Sequence, residues 1–298
     1  NLPAHRLAKL SGIGCSSKTP TYFLSRSHGF NSVHGRMPSI TTGANMANRD
    51  LVYLGVSGDG DTASIGLGQF AHGVRRKLNM TYIVENNGCY GLTKGQFSAT
   101  NDKASPSKKG ELNSFDAIDL CQMAISLGAG FVARSFSGDK GQLVPLIKAA
   151  MAYKGFAFID VVSPCVTFNN HSASTKSFDY VRAHAHVMGE LDFVDKKNEI
   201  TVDYKEGDST LVEMHDGTML RLQKLDQEHD PKDADKAIQA IRKSATAGEV
   251  LTGLLYLNPV EMDLHDALGT VERPLNALPM SELCPGSKAL EAINARLR

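Results

Sequence analysis

The stretch LVYLGVSGDGD at residues 51–61 decides the fold. It begins with five apolar residues and one glycine, without alternation, and Gly58-Asp59-Gly60-Asp61 follow after Ser57. A continuous apolar run of this length is typical of a strand that is buried on both faces of a parallel sheet. In such sheets the ligand crevice lies beyond the carboxyl ends of the strands. We therefore expect residues 58–61 to line a binding site.

The flanking sequence repeats an alternation of strand and helix. Residues 65–78 have apolar residues at helical spacing, and residues 80–85 form a second apolar run that ends in Asn86-Asn87. This order predicts an α/β protein with a doubly wound, mostly parallel sheet. Further strands are predicted at 7–13, 131–134 and 156–162, with further helices at 119–127 and 142–151.

Composition excludes several classes of protein. Among the 298 residues, 32 Lys and Arg balance 32 Asp and Glu, so we expect no basic face for nucleic acid. No apolar run approaches the roughly 20 residues that a membrane span needs, and we expect no membrane partner. Five widely spaced cysteines argue against a disulfide framework and favour a reduced, cytoplasmic compartment.

The character of the chain changes near residue 190. We divide it into a ligand-binding domain at 1–190 and a small C-terminal α+β extension at 191–298, which serves packing or subunit docking. In the extension, residues 209–222 predict a hairpin that turns through Asp216-Gly217. Asp230-Pro231 predicts the start of a helix that runs to about Ser244, and residues 252–257 predict a last strand.

One pair of motifs points to a metal ion. Gly58-Asp59-Gly60 is followed, after 25 residues, by Asn86-Asn87, and both motifs end predicted strands. Mg²⁺ prefers oxygen ligands in octahedral geometry, and two phosphates need such a cation. The Asp59 carboxylate, the Asn87 amide and the Cys89 backbone carbonyl can approach it from two strand ends. The glycines allow the backbone to come close to a diphosphate.

These motifs resemble the thiamine-diphosphate fingerprint. Together with four further segments they resemble the β subunit of 2-oxoacid:ferredoxin oxidoreductases, over about residues 7–195. The segments are GIGCSS at 12–17, VHGR at 33–36, YGLTKGQ at 90–96 and SPCVTFN at 163–169. The resemblance implies the diphosphate-binding type of parallel sheet.

The resemblance also implies cofactors and their ligands. Asp59, Asn87 and the Cys89 carbonyl would hold Mg²⁺, and Cys15 and Cys165 would bind a [4Fe-4S] cluster. Two further thiolates come in that family from an upstream Cys-x-x-Cys, which these residues lack, and since the chain opens without Met we expect a preceding segment. Cys89, Cys121 and Cys284 match no ligand pattern and are predicted to be buried apolar thiols. Thiamine diphosphate would be contacted by Ile13, Gly14, Cys15, Ser16, His34, Gly58, Gly60, Asp61, Gly91 and Leu92.

Two lysines are candidates for substrate contact. Lys94 lies a few residues from the predicted metal ligands, where a cation suits a substrate with a second, distal carboxylate. In the resembling family the LTKGQ form is similar to that of the 2-oxoglutarate enzymes. Lys18 is a second candidate, for substrate carboxylates or coenzyme A (CoA), and its alternative is a solvated loop lysine.

The resemblance implies oxidative decarboxylation of 2-oxoglutarate to succinyl-CoA and CO₂, with electrons passing to ferredoxin. It also implies an α subunit that supplies the pyrimidine-binding domain. Two alternatives stay open. The same chemistry could act on pyruvate or branched-chain 2-oxoacids, or the chain could be a non-catalytic scaffold that keeps the fold.

Overall fold

The computed structural model describes residues 2–23, 25–195, 209–213, 218–224, 229–258, 260, 262–284 and 286–297. The strands are β1 (Leu7–Ser11), β2 (His28–Asn31), β3 (Val52–Gly58), β4 (Met80–Asn86), β5 (Cys89–Tyr90), β6 (Gln96–Phe97), β7 (Phe131–Phe136), β8 (Phe156–Val162), β9 (Ala185–Val187), β10 (Gly189–Asp195), β11 (Ser209–Glu213), β12 (Thr218–Lys224) and β13 (Val250–Leu257). The α-helices are α1 (Met37–Ala47), α2 (Leu67–Arg75), α3 (Leu120–Ser126), α4 (Lys140–Ala152), α5 (Phe178–His184), α6 (Ala234–Ala247), α7 (Leu264–Leu268), α8 (Met280–Leu283) and α9 (Gly286–Arg296).

An eight-stranded sheet in the order β2-β1-β3-β4-β8-β7-β13-β9 forms the centre. Its neighbours are parallel, except that β13 runs antiparallel to β7. Successive side chains on each strand point to opposite faces of the sheet, so each strand contributes to two hydrophobic cores. On β4, Tyr82 and Val84 join one buried cluster with α2, whereas Ile83 joins a second cluster with α4 on the other face. The predicted doubly wound, mostly parallel α/β sheet is confirmed.

The helix after β3 begins earlier than the sequence predicts. A π-helical turn at Gly60–Ile65 follows Asp59 directly and leads into α2, where the apolar spacing predicts a start at residue 65. The predicted strand at 7–13 ends at Ser11. Because the first turn of the helix starts at the strand end, the Gly-Asp-Gly motif lies at a helix N-terminus. Backbone N–H groups at such an end favour an anion.

The helix predicted from Asp230-Pro231 begins later. Asp233 is the N-cap of α6, since its carboxylate accepts from the Lys236 N–H at 3.0 Å. Asp230 accepts instead from the Lys232 N–H at 3.0 Å, so Asp230-Pro231 forms a turn before the helix. Gly248, at φ +74°, ends α6 in the left-handed conformation that favours glycine.

The C-terminal region contributes to two sheets. The predicted hairpin is present as antiparallel β11 and β12, and β10 pairs with β12 as a third strand. Its predicted Asp216-Gly217 turn lies outside the described residues. The predicted last strand, β13, lies within the central sheet, so the sheet continues across the proposed boundary at residue 190. None of the helices in the described ranges combines the length and apolar composition needed to cross a membrane.

Candidate functional site

Asp59 and Asn87 lie side by side at the carboxyl ends of adjacent strands. β3 and β4 pair in parallel with Gly58 opposite Glu85, so the residues that follow the two strands meet at one edge of the sheet. The backbone N–H of Asn87 donates to the Asp59 carboxylate. The structure therefore brings the Asp59 carboxylate against the turn that carries Asn87, the second residue that the sequence predicts as a magnesium ligand.

The Asp59 carboxylate is buried and held by hydroxyl groups. It is 1% exposed, and its Oδ2 accepts hydrogen bonds from Ser98 Oγ and from Thr100 Oγ1, the latter at 2.6 Å. Burial raises the pKa of Asp59, and these hydrogen bonds offset part of the rise. A desolvated carboxylate gains from a cation beside it, so the environment fits a divalent metal ion. Ser98 and Thr100 are not among the predicted site residues, although two hydroxyl residues just after the YGLTKGQ segment are a signal for such a role.

Two asparagines fix the turn that carries Asn87. Asn169 Nδ2 donates to the Asn87 carbonyl at 2.7 Å, and Asn101 Nδ2 donates to the Gly88 carbonyl at 2.8 Å. Within the turn, Asn87 Oδ1 accepts from the Cys89 N–H at 3.1 Å. Gly88 has φ +72°, which suits glycine. The sequence motifs predict no role for Asn101 or Asn169.

Asp61 faces the loop that carries His34. Its carboxylate contacts His34 Nδ1 and accepts from the Gly35 N–H at 2.7 Å and from Ser57 Oγ at 2.7 Å. Gly35 and Gly66 are in close backbone contact, because a Cβ on Gly35 would lie 2.8 Å from the Gly66 nitrogen. Asp61 is 2% exposed, so the carboxylate that holds His34 at the site is itself buried in the protein.

Gly60 allows a close approach by Tyr90. Tyr90 Oη donates to the Gly60 carbonyl at 3.0 Å, and a Cβ on Gly60 would lie 2.5 Å from the Tyr90 ring. The rings of Tyr90 and His34 are edge to face, with centroids 6.4 Å apart. These contacts join the start of the helix, the His34 loop and the β5–β6 hairpin into one wall of the site.

Three thiols meet beside Gly91. A Cβ on Gly91 would lie 3.1 Å from Cys15 Sγ and 3.6 Å from Cys165 Sγ, so the two predicted cluster ligands lie against one backbone position. Cys89 is buried next to them; burial raises its pKa, with contributions from Cys165, Asp59 and Cys15. Its thiol donates to Asn87 Oδ1 at 3.4 Å. In the described part of the chain, no group of three or more His, Cys, Asp or Glu side chains forms a single-ion site.

The other two cysteines differ from each other. Cys121 is fully buried, as predicted. It lies in α3 and packs in the hydrophobic cluster that also contains Tyr82 and Val84. Cys284 is exposed, so the prediction of a buried thiol is wrong there. It precedes the exposed α9, which contributes no residue to the core.

Lys94 and Lys18 are both exposed. Lys94 lies in the loop between β5 and β6 and has φ +79°, a conformation that is uncommon for residues other than glycine. Lys18 lies on the 3₁₀ segment Ser16–Tyr22, which also includes Ser16 at its start. Among the other predicted contacts, Ile13 and Gly14 are half-buried just before Cys15, and Leu92 is 65% exposed.

The fold and the site define a thiamine-pyrophosphate-binding domain. A family described as "Thiamine pyrophosphate enzyme, C-terminal TPP binding domain" matches residues 12–161. The 2-oxoglutarate synthase subunit KorB of Methanocaldococcus jannaschii is 40% identical over 186 residues, which are 61% of this chain and 67% of that protein. The chain therefore belongs to the family of 2-oxoacid:ferredoxin oxidoreductase β subunits.

A second relative and a solved structure are similar to this chain and belong to the same class of enzyme. The 2-oxoacid:ferredoxin oxidoreductase subunit beta of a Sulfolobus species is 43% identical over 162 residues, covering 54% of this chain and 53% of that protein. A solved structure, the 2-oxoglutarate:ferredoxin oxidoreductase from Magnetococcus marinus with 2-oxoglutarate, coenzyme A and succinyl-CoA bound, superposes with a TM-score of 0.69 at 28% identity. That superposition covers 93% of this chain and 84% of the other. The matched part of this chain spans about half the length of the first curated relatives.

Proposed function

We propose that this chain is the thiamine-diphosphate-binding subunit of a cytoplasmic 2-oxoglutarate:ferredoxin oxidoreductase. The observation that carries the proposal is the buried Asp59 carboxylate beside Asn87 at the ends of β3 and β4. The names of the relatives support the oxidoreductase class, and the ligands named with the Magnetococcus marinus structure support 2-oxoglutarate and CoA as substrates.

The residues at the strand ends fit Mg²⁺ and a diphosphate. Asp59 and Asn87 would bind the ion through side-chain oxygens, with the Cys89 carbonyl as a third ligand. The helix start at Gly60 would face the diphosphate with its N–H groups, because the first turn of a helix has unpaired donors. Bound thiamine diphosphate supplies the electron sink for loss of CO₂ from a 2-oxoacid. His34, held by Asp61, would contact the same cofactor.

Lys94 would select the substrate. The exposed ammonium group can form a charge-assisted hydrogen bond with the distal carboxylate of 2-oxoglutarate, which pyruvate lacks. Lys18 would hold a carboxylate of the substrate or a phosphate of CoA. Neither lysine has an ion-pair partner within the described ranges, so both are available to an anionic ligand.

Electron transfer would use Cys15 and Cys165. Their convergence on Gly91 fits two ligands of one [4Fe-4S] cluster, which takes four thiolates. Two further thiolates from outside these 298 residues would complete it. The full site would also need an α subunit for the pyrimidine ring of the cofactor, and ferredoxin would accept the electrons.

The test is turnover by the enzyme purified with its α subunit, with CoA and a one-electron acceptor. We expect 2-oxoglutarate to be preferred over pyruvate and branched-chain 2-oxoacids. Lys94→Met should lower kcat/KM for 2-oxoglutarate by about 10- to 100-fold, the range for one charge-assisted hydrogen bond, and change pyruvate turnover far less. Lys103→Met is the matched control, because Lys103 already pairs with Asp116 on the surface.

Three results would contradict the proposal in different ways. An unchanged substrate preference in Lys94→Met would remove the role of Lys94. A wild-type preference for pyruvate or branched-chain acids would favour the alternative substrates. Wild-type protein without turnover and without thiamine diphosphate binding would favour a non-catalytic scaffold.

A further inference from the structure

A chain of hydrogen bonds leads from Asp59 into the interior of the sheet. Thr100 Oγ1 lies 2.6 Å from Asp59 Oδ2 and 3.0 Å from Asn86 Oδ1. Asn86 Nδ2 donates to Asp160 Oδ1 at 3.1 Å. Asp160 Oδ2 in turn accepts from Arg134 Nε at 2.9 Å. The path therefore crosses three neighbouring strands, β4, β8 and β7.

The path ends at the start of α3. Arg134 Nη2 donates to Asp119 Oδ2 at 2.7 Å, and Asp119 Oδ1 caps α3 by accepting from the Gln122 N–H at 2.8 Å. The guanidinium group of Arg134 therefore bridges two carboxylates, those of Asp160 and Asp119. Its side chain is 11% exposed and that of Asp160 is 2% exposed, so water screens this pair weakly. Although burial acts to raise it, Arg134 holds the pKa of Asp119 below its usual range.

Asp160 fixes which way the Asn86 amide points. A carboxylate facing a guanidinium group is an acceptor only, so it must meet the amide nitrogen of Asn86. The amide oxygen of Asn86 is then turned toward Thr100. Asn86 is 5% exposed, and within the described residues its side chain makes no other hydrogen bond that would compete with this orientation.

The orientation of the Asn86 amide in turn helps to fix the position of the Thr100 hydroxyl group. A threonine hydroxyl has one hydrogen, and here two carbonyl-type acceptors, Asp59 Oδ2 and Asn86 Oδ1, lie within reach of it. Ser98 Oγ lies 3.0 Å from the same hydroxyl oxygen. Sharing this hydrogen holds the hydroxyl between the two side chains.

We propose that Arg134 and Asp160 are positioning residues that act through Asn86 and Thr100 to hold the Asp59 carboxylate in its metal-binding orientation. The inference rests on the proposed function, because it takes Asp59 as a ligand of the Mg²⁺ that accompanies thiamine diphosphate. Within the described residues, neither Arg134 nor Asp160 forms a side-chain hydrogen bond or ion pair with Asp59 or Asn87. Their effect is on the affinity for the ion.

The test is a calorimetric titration of Mg²⁺ into the complete enzyme with thiamine diphosphate present in excess. Asp160→Asn should weaken Mg²⁺ binding by about 10- to 100-fold, as outer partners of metal ligands do. Asp102→Asn is the matched control, because it removes a Lys176 ion pair of the same 2.9 Å length, and among the described residues the Asp102 side chain bonds only to Thr175 and Lys176. The control should stay within about twofold of the wild type by the same measure.

A double-mutant cycle separates positioning from general loss of structure. Thr100→Val removes the hydroxyl at nearly constant volume and should weaken Mg²⁺ binding by itself. Adding Asp160→Asn to Thr100→Val should cause little further loss, since both changes act through one hydroxyl. Independent, multiplying effects would overturn the proposal, and so would an Asp160→Asn variant that binds Mg²⁺ as the wild type does.

Two outcomes need separate treatment. If Asp160→Asn does not fold, Arg134→Lys takes its place, because lysine keeps the charge but cannot bridge Asp119 and Asp160 as a planar fork. Wild-type affinity for Mg²⁺ in that variant would overturn the proposal. A wild-type enzyme that shows no Mg²⁺-dependent binding of thiamine diphosphate would contradict the proposed function itself.

Discussion

Asp59 combines burial with a proposed role, metal binding, that needs its charge. Its carboxylate is 1% exposed, and within the described part of the chain no cationic side chain forms an ion pair with it. Hydrogen bonds from the hydroxyl groups of Ser98 and Thr100 offset part of the cost of burying this carboxylate. The site therefore favours a bound cation over an empty, ionised carboxylate.

The protein without its cofactor should lose stability as pH rises. Burial raises the pKa of Asp59 in the folded state, so its contribution is fully present below the unfolded value of about 4 and is lost as pH rises through the folded pKa. Denaturant titrations of wild type and Asp59→Asn across this range should show a smaller decline in the variant. Equal pH slopes for the two proteins would contradict this account of Asp59.

The loop that carries His34 packs backbone to backbone against the turn at Gly66, which precedes α2. A Cβ on Gly35 would lie 2.8 Å from the Gly66 nitrogen, and one on Gly66 would lie 3.0 Å from the Gly35 Cα. Gly35 also has φ +70°. Two glycines are therefore needed for the loop to reach Asp61 and hold His34 at the site.

Gly35→Ala should destabilise the protein by roughly 2–4 kcal/mol, from the left-handed backbone and the clash together. Gly68→Ala is the control, because it lies in α2 with open space around its Cβ position. That change should stabilise the protein by about 0.5–1 kcal/mol. Urea midpoints measure both, and a neutral Gly35→Ala would mean that the two backbones can separate.

The strands and the proposed metal-binding pair, Asp59 and Asn87, could be predicted from the sequence, because continuous apolar runs are typical of buried parallel strands. The run at residues 51–56 and the two motifs after β3 and β4 placed Asp59 and Asn87 correctly at one edge of the sheet. Contacts between segments distant in sequence were not accessible. Asp160 and Arg134 lie inside apolar strands, and only the register of β4, β8 and β7 brings them toward Asn86.

At the scale of the whole molecule, the C-terminal region completes the central sheet. β13 covers the edge of β7, and four of its leucines are at most 3% exposed: Leu251, Leu254, Leu255 and Leu257. α6 packs against the same core through Ala237 and Ile241. The predicted extension at 191–298 therefore supports the domain that carries the site, besides any docking role that it has.

A chain that ends at residue 224 should fail to fold. Loss of the four buried leucines alone removes about 6–12 kcal/mol of burial, comparable with the roughly 5–15 kcal/mol stability of a typical domain. A chain that ends at residue 283 is the control, since α9 contributes no buried residue and its loss should be tolerated. Circular dichroism and thermal unfolding of both truncations provide the measurement. Cooperative unfolding of the shorter chain would show that the sheet is stable without β13.

The central claim is tested most directly by calorimetric titration of thiamine diphosphate into wild type and Asp59→Asn, with and without Mg²⁺. We expect saturable wild-type binding only with Mg²⁺. Loss of a direct ligand in Asp59→Asn should weaken that binding beyond the roughly 10- to 100-fold effect of outer-shell partners, with a wild-type circular dichroism spectrum. Binding that is independent of Mg²⁺, or equal in the folded variant, would contradict the claim that Asp59 holds the metal of this cofactor.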